Sequence, residues 1–127
     1  MREIIQTNLA PSAVGTYSQG VKFNGICYFS GQIGLSPETM EMDNNFDGQL
    51  QQTLKNIDGL LKSQDMTRSD IIKTTIFLKD LGDFNKVNEA YTNFLIQSLG
   101  CTGATLGLHD GYSKVHGDHW PRNKLSV

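Results

Sequence analysis

The segment HDGYSKVHGDHW, residues 109–120, gathers all three histidines of the chain, its only tryptophan, and the only two carboxylate side chains after Glu89. Imidazoles and carboxylates at this density raise two chemistries. One is a metal centre built from His109, Asp110, His116, Asp118 and His119. The other is an acid–base site in which Asp110 or Asp118 activates water beside Arg122, the one arginine of the tail. The spacing supports neither. His116-x-Asp118-His119 matches no ligand signature. On a strand, His116 and Asp118 share a face and His119 takes the other, and a zinc ion would also ask for oriented outer partners. The sequence therefore leads us to expect no metal site here. Lys73, in IIKTTIF, reads as a charge at a polar or edge position; a desolvated nucleophilic lysine is the sharper alternative.

These residues need elements to position them. A chain of 127 residues fits one domain. Its net charge of −2, with eleven scattered basic residues, argues against nucleic acid as a partner. Cys27 and Cys101 show neither metal-ligand spacing nor a redox motif, and Cys27 lies in an apolar run that suits a buried free thiol. The first residues lack the apolar core of a secretory signal, and no segment approaches the roughly 18 apolar residues of a membrane span. A soluble protein of a reducing compartment, most simply the cytoplasm, is expected.

The body alternates clearly. Asn24-Gly25 predicts a type I′ hairpin turn. Val21 and Phe23 flank it on one side and Ile26 and Tyr28 on the other. The nearly apolar ICYFSGQIGL then reads as a central strand, with Gly31 and Gly34 as bulges or points of close approach. Phe46, Leu50, Leu54, Ile57 and Leu61 make the stripe of a first helix. SDIIKTTIFLKDL reads as a strand, with Ile72, Thr74, Ile76 and Leu78 on one face. Asp83 is expected to cap a second helix with the stripe Phe84, Val87, Tyr91, Phe94 and Leu95, stopped at Gly100. Two helices on one face of a mixed sheet give an α+β domain, and that architecture asks for a further strand after the second helix. Residues 101–127 depart from this pattern. They are glycine-rich and hold no glutamate, and ATLGL and YSKV are their candidate short strands.

Five pieces, APSAVGTYSQGV, YFSGQIGL, QLQQTLKNIDGLLK, DIIKTTIFLKDLGDFNKVNEAY and the helix that follows, resemble the RidA branch of the Rid family (reactive intermediate deaminases, also known as L-PSP endoribonuclease-like proteins). They fall in the family's order with its gaps. The resemblance implies a chorismate-mutase-like α+β fold, a homotrimer with sites between subunits, and hydrolysis of 2-imino acids such as 2-iminobutanoate and 2-iminopropanoate to 2-keto acids and ammonia without a cofactor. Carried over by position, Tyr17 matches the family's site tyrosine, Ser30 and Gly31 match the strand that lines the cleft, and Asn88 matches a recurrent helix asparagine. By themselves these residues have plainer readings: a packed tyrosine, a strand serine bonded to backbone, a bulge glycine, a structural asparagine. The resemblance stops near residue 100. The family's carboxylate-clamping arginine belongs to a PARS motif and its catalytic glutamate to a later EIEAIA-like strand. Here GATLGLHDGYSKV stands in that place, and no glutamate follows Glu89. An impaired deaminase is therefore expected, with a non-catalytic binding module as the runner-up and RNA cleavage third. A reading-frame shift near residues 100–107 would leave this pattern, which resequencing the gene tests.

Overall fold

The computed structural model describes residues 1–96, 105–110 and 125–126. Three strands come first: β1 (Glu3–Ile5), β2 (Gly20–Phe23) and β3 (Ile26–Phe29). They form an antiparallel sheet in the order β1-β2-β3. The hairpin between β2 and β3 turns as its sequence requires, with Asn24 at φ 52° and Gly25 at φ 77°. Helix α1 (Phe46–Ser63) follows, then β4 (Lys73–Leu78), helix α2 (Phe84–Ile96), β5 (Thr105–Asp110) and β6 (Leu125–Ser126). β4 pairs with β5 in parallel and with β6 antiparallel, giving a second sheet in the order β5-β4-β6. The predicted α+β architecture holds, and ATLGL falls largely within the expected later strand. YSKV, His116, Asp118, His119 and Arg122 lie outside the described residues.

The core forms where the helical stripes meet β4. Phe46, Leu50 and Leu54 of α1, Ile76 and Leu78 of β4, and Val87, Tyr91 and Phe94 of α2 make one buried cluster. Both helices thus cover the same face of β4. Each large apolar side chain removed from water there contributes about 2 kcal/mol. Asn45 caps α1, its side chain accepting the Gly48 N–H at 2.6 Å.

Several expectations need correction. The run ICYFSGQIGL is a strand only through Phe29, and among the described residues β3 is an edge rather than a central strand. The chain beyond Ser30 packs on α1 instead: the Asn56 side chain donates to the carbonyls of Ile33 and Leu35 at 2.9 and 2.8 Å. A Cβ on Gly34 would lie 2.7 Å from the Gln49 Cα, so this glycine marks close backbone approach. The strand predicted from Ser69 begins only at Lys73, because Asp70 takes the Thr67 N–H at 2.8 Å and closes a helical turn over Arg68–Asp70. Ile72 is consequently exposed. Before α2, the Gly82 N–H goes to Asp80 at 2.8 Å, and the expected cap Asp83 ends the short turn Leu81–Asp83. Phe84 is exposed at the start of α2, so the buried stripe begins at Val87. Cys27 is half-buried rather than buried.

Arg68 ties the helices together. Its Nε and Nη2 meet the two carboxylate oxygens of Asp58 at 2.9 and 2.5 Å, and Nη1 donates to the Phe94 carbonyl at 2.9 Å. The guanidinium also stacks 4.0 Å from the Phe94 ring centroid. The hydrogen bond to Asp58 raises the Arg68 pKa above its usual value, so the guanidinium stays protonated. The planar fork matters more than the charge. Arg68→Lys is therefore expected to cost nearly as much as Arg68→Ala, about 1–2 kcal/mol in urea unfolding. A neutral Arg68→Lys would show that a simple surface ion pair is all that is present.

Candidate functional site

A groove of about 660 Å³ is lined by residues of both sheets and of α1. One wall is the run Gly25–Gln32; the other is Asp70–Thr75 with Phe77; Ile57, Leu60 and Leu61 of α1 form the floor. Ser30 and Gly31 lie on the first wall and Lys73 on the second. The charged groups among the described lining residues are Asp70 and Lys73 alone. A larger hollow of about 800 Å³ over α1 holds none of the predicted site residues, and its Arg68 and Asp58 are already paired.

Ser30 is held at the end of the β2–β3 ladder. Its backbone N–H and its Oγ both donate to the Gln19 carbonyl, at 3.0 and 3.1 Å. Its hydroxyl oxygen remains able to accept a bond from a ligand. Gly31 is exposed just beyond. Tyr17 lies outside the groove. It stands in the segment before β2, its ring close over Gly15 and 53% exposed. Asn88 is exposed on α2. Within this chain, then, the fold brings Ser30 and Gly31 together and leaves Tyr17 and Asn88 elsewhere. Of the tail residues considered for metal or acid–base chemistry, His109 and Asp110 fall on β5, opposite Phe77 and Leu78. Among the described residues no cluster of three His, Cys, Asp or Glu side chains could hold a metal ion.

Sequence reasoning missed Gln19. It is 4% exposed, and its amide organises the segment around it. The side-chain oxygen accepts the Thr7 N–H at 2.6 Å; the nitrogen lies within bonding distance of the carbonyls of Thr7, Ala10 and Pro11 at 2.9, 3.1 and 2.8 Å. With its own carbonyl bound by Ser30, Gln19 joins the segment from Thr7 to Pro11 to the groove wall. The only available signal was its place between Tyr17 and the first strand of the hairpin. A second feature lies on the face of the first sheet turned away from Ile5 and Gly20. There Ile4, Val21 and Tyr28 stand in register, with Phe23 beside Ile26. Ile4 and Tyr28 are each 60% exposed.

The family model for endoribonuclease L-PSP matches residues 7–103. A RutC family protein of Aquifex aeolicus is 43% identical over 94 residues, covering 74% of each chain. The chloroplastic Reactive Intermediate Deaminase A of Arabidopsis thaliana is 42% identical over 94 residues, 73% of this chain and 50% of that protein. The crystal structure of E. coli TdcF with bound serine superposes with a TM-score of 0.86 at 31% identity, covering 98% of this chain and 93% of the other. The chain therefore belongs to the endoribonuclease L-PSP family, the Rid proteins. The sequence match to the family model ends at residue 103, where the composition of the chain changes.

Proposed function

We propose that this chain has the site of a 2-imino acid deaminase with its charge-handling half replaced. In the intact reaction, water adds to the C=N carbon of 2-iminobutanoate or 2-iminopropanoate. The resulting carbinolamine expels ammonia and leaves the 2-keto acid. A cation must hold the substrate carboxylate, and a carboxylate must orient and deprotonate the water. Ser30 and Gly31 would face the imine end of the substrate. Tyr17 and Asn88 would join from a neighbouring subunit's side of the cleft. The reading rests most on one observation: family similarity runs through residue 103, and no glutamate follows Glu89. The relative named Reactive Intermediate Deaminase A supports the reaction class.

The expected homotrimer draws support from the apolar sheet face. Ile4, Phe23, Ile26 and Tyr28 form an exposed patch of the kind that marks an association surface. The half-buried free thiol of Cys27 suits a reducing compartment such as the cytoplasm. Among the described residues no helix is long and apolar enough to cross a membrane. We further propose that residues 1–127 act as one domain whose tail from 101 arose by a shifted reading frame.

The test uses threonine and threonine dehydratase to generate 2-iminobutanoate in place, with keto-acid formation followed optically. This chain is expected to accelerate the reaction little over buffer. Acceleration equal to that of a Rid protein with both motifs would overturn the impairment. The runner-up is a binding module without turnover. It draws on the bound serine of TdcF, a small amino acid held by a close structural neighbour. Calorimetric titration with 2-ketobutyrate, giving heat without turnover, would favour it. RNA cleavage stands third, opposed by the net charge of −2; RNA affinity falling steeply with salt would support it.

A further inference from the structure

We propose that Asn24 is a site of spontaneous backbone modification, where the Gly25 nitrogen displaces the side-chain amide and residue 24 ends as isoaspartate, a linkage that the β2–β3 turn cannot hold. The chemistry needs three conditions together. The attacking backbone nitrogen must belong to a residue without bulk, it must be free of a hydrogen bond, and water must reach both groups. Asn24-Gly25 is the one asparagine–glycine pair of the chain. Both residues are exposed, and a Cβ on Gly25 would meet nothing within 4 Å. Among the described residues neither the Asn24 side chain nor the Gly25 N–H has a hydrogen-bond partner. The aspartate–glycine pairs of α1, which could close the same ring, are sheltered by contrast. The Gly48 N–H goes to the Asn45 side chain, and Gly59 is buried against the Leu9 carbonyl.

The step needs no reagent but water. The Gly25 nitrogen bonds to Asn24 Cγ and gives up its proton, the Cγ–Nδ2 bond breaks, and Nδ2 leaves with that proton as ammonia. Water then opens the five-membered imide. Opening at Cγ gives aspartate; opening at the main-chain carbonyl gives isoaspartate, in which the chain runs through Cβ and Cγ. The fold sets both the pace and the consequence. φ values of 52° and 77° belong to a type I′ turn, which as the mirror image of type I holds the Asn24 ψ at about +30°. That ψ turns the Gly25 nitrogen away from the Asn24 side chain, so ring closure waits on a brief opening of the turn. The Ser30 N–H bonds to the Gln19 carbonyl and bonded pairs alternate along the ladder, so Phe23 and Ile26 are a bonded pair. Only that pair has to part, at the exposed tip of the hairpin. Isoaspartate then adds one main-chain atom and a negative charge to a two-residue loop. Loop length fixes hairpin register, so the modified turn no longer brings Phe23 opposite Ile26. The hairpin carries Phe23, Ile26 and Tyr28 of the exposed apolar face, and the change falls on that face first. The inference does not depend on the deaminase reading.

The test incubates the full-length chain at physiological temperature and mildly alkaline pH, beside Asn24→Gly, which suits the same turn and cannot cyclise. The readouts are peptide mass mapping, with isoaspartate resolved from aspartate, and hydrogen exchange at the Phe23 and Ile26 amides. The expected result is a gain of about 1 Da at Asn24, at least tenfold faster than at any other asparagine. Isoaspartate should exceed aspartate, and the two amides of the converted chain should exchange at least tenfold faster than before. Asn24→Gly, incubated alike, is expected to keep its protection. No product at Asn24 in the folded chain, over a time in which the urea-unfolded chain converts, would overturn the proposal. So would a converted chain whose two amides are as protected as before, or an equal loss of protection in Asn24→Gly.

Discussion

Asn56→Leu is expected to destabilise the protein by about 3 kcal/mol and to lower its Tm by roughly 10 °C. Asn56 is fully buried on α1. Its amide nitrogen donates to the carbonyls of Ile33 and Leu35, and its oxygen accepts from the Gln52 side chain at 2.9 Å. Leucine has nearly the same shape and a better helix propensity, so no large cavity opens. The loss lies in the two carbonyls. They sit in a segment that has left the sheet, and no described strand replaces the bonds that Asn56 gives. Leaving each unsatisfied costs about 1–3 kcal/mol, and the added apolar burial returns only about 1 kcal/mol. The consequence reaches the site, because residues 30–35 carry the groove wall with Ser30 and Gly31. Chemical denaturation of the variant tests this. A change below about 0.5 kcal/mol would mean that this segment is held by packing alone, and the account of its departure from the sheet would be wrong.

What the sequence disclosed divides along the same line. Periodicity gave both helices, because Phe46, Leu50, Leu54, Val87, Tyr91 and Phe94 each face one shared core. Asn24-Gly25 gave the hairpin, because only a few residue types accept positive φ at both turn positions. The end of β3 was not legible. An apolar run such as ICYFSGQIGL suits a long strand as well as a short strand followed by a segment packed on a helix. The decision rests on Asn56, 23 residues beyond Ile33. The start of β4 was misread for a local reason: the Asp70 carboxylate competes for a backbone N–H, which no β propensity records. Ser30 and Gly31 were singled out by position in a resemblance, and the structure puts both on one groove wall. Gln19 was missed because its role consists of bonds to carbonyls, which carry no side-chain pattern. The tail histidines attracted notice by type, yet His109 and Asp110 are residues of a strand paired in parallel with β4.

Exchanging residues 97–127 for the equivalent segment of a Rid protein that carries both the arginine and the glutamate motifs is expected to raise imine hydrolysis by about 1,000-fold. The body through Ile96 already presents Ser30 and Gly31 on one groove wall, with Gln19 joining Ser30 to the segment around Thr7, Ala10 and Pro11. Among the described residues its groove offers only Lys73 as a cation and Asp70, already engaged with the Thr67 N–H, as a carboxylate. Lys73 is a flexible point charge and offers no bidentate clamp. A positioned general base is worth about 100- to 10,000-fold, and charge stabilisation at the reacting centre a similar amount. Even partial recovery of both corresponds to about 4 kcal/mol in the barrier. The direct test is the initial rate of 2-ketobutyrate formation from 2-iminobutanoate generated in place, measured side by side for the natural chain and the tail-exchanged chain at equal folded concentration. The account predicts a rate near the buffer background for the first and strong acceleration for the second. A natural chain as fast as the exchanged one, or an exchanged chain that folds and remains at background, would contradict it.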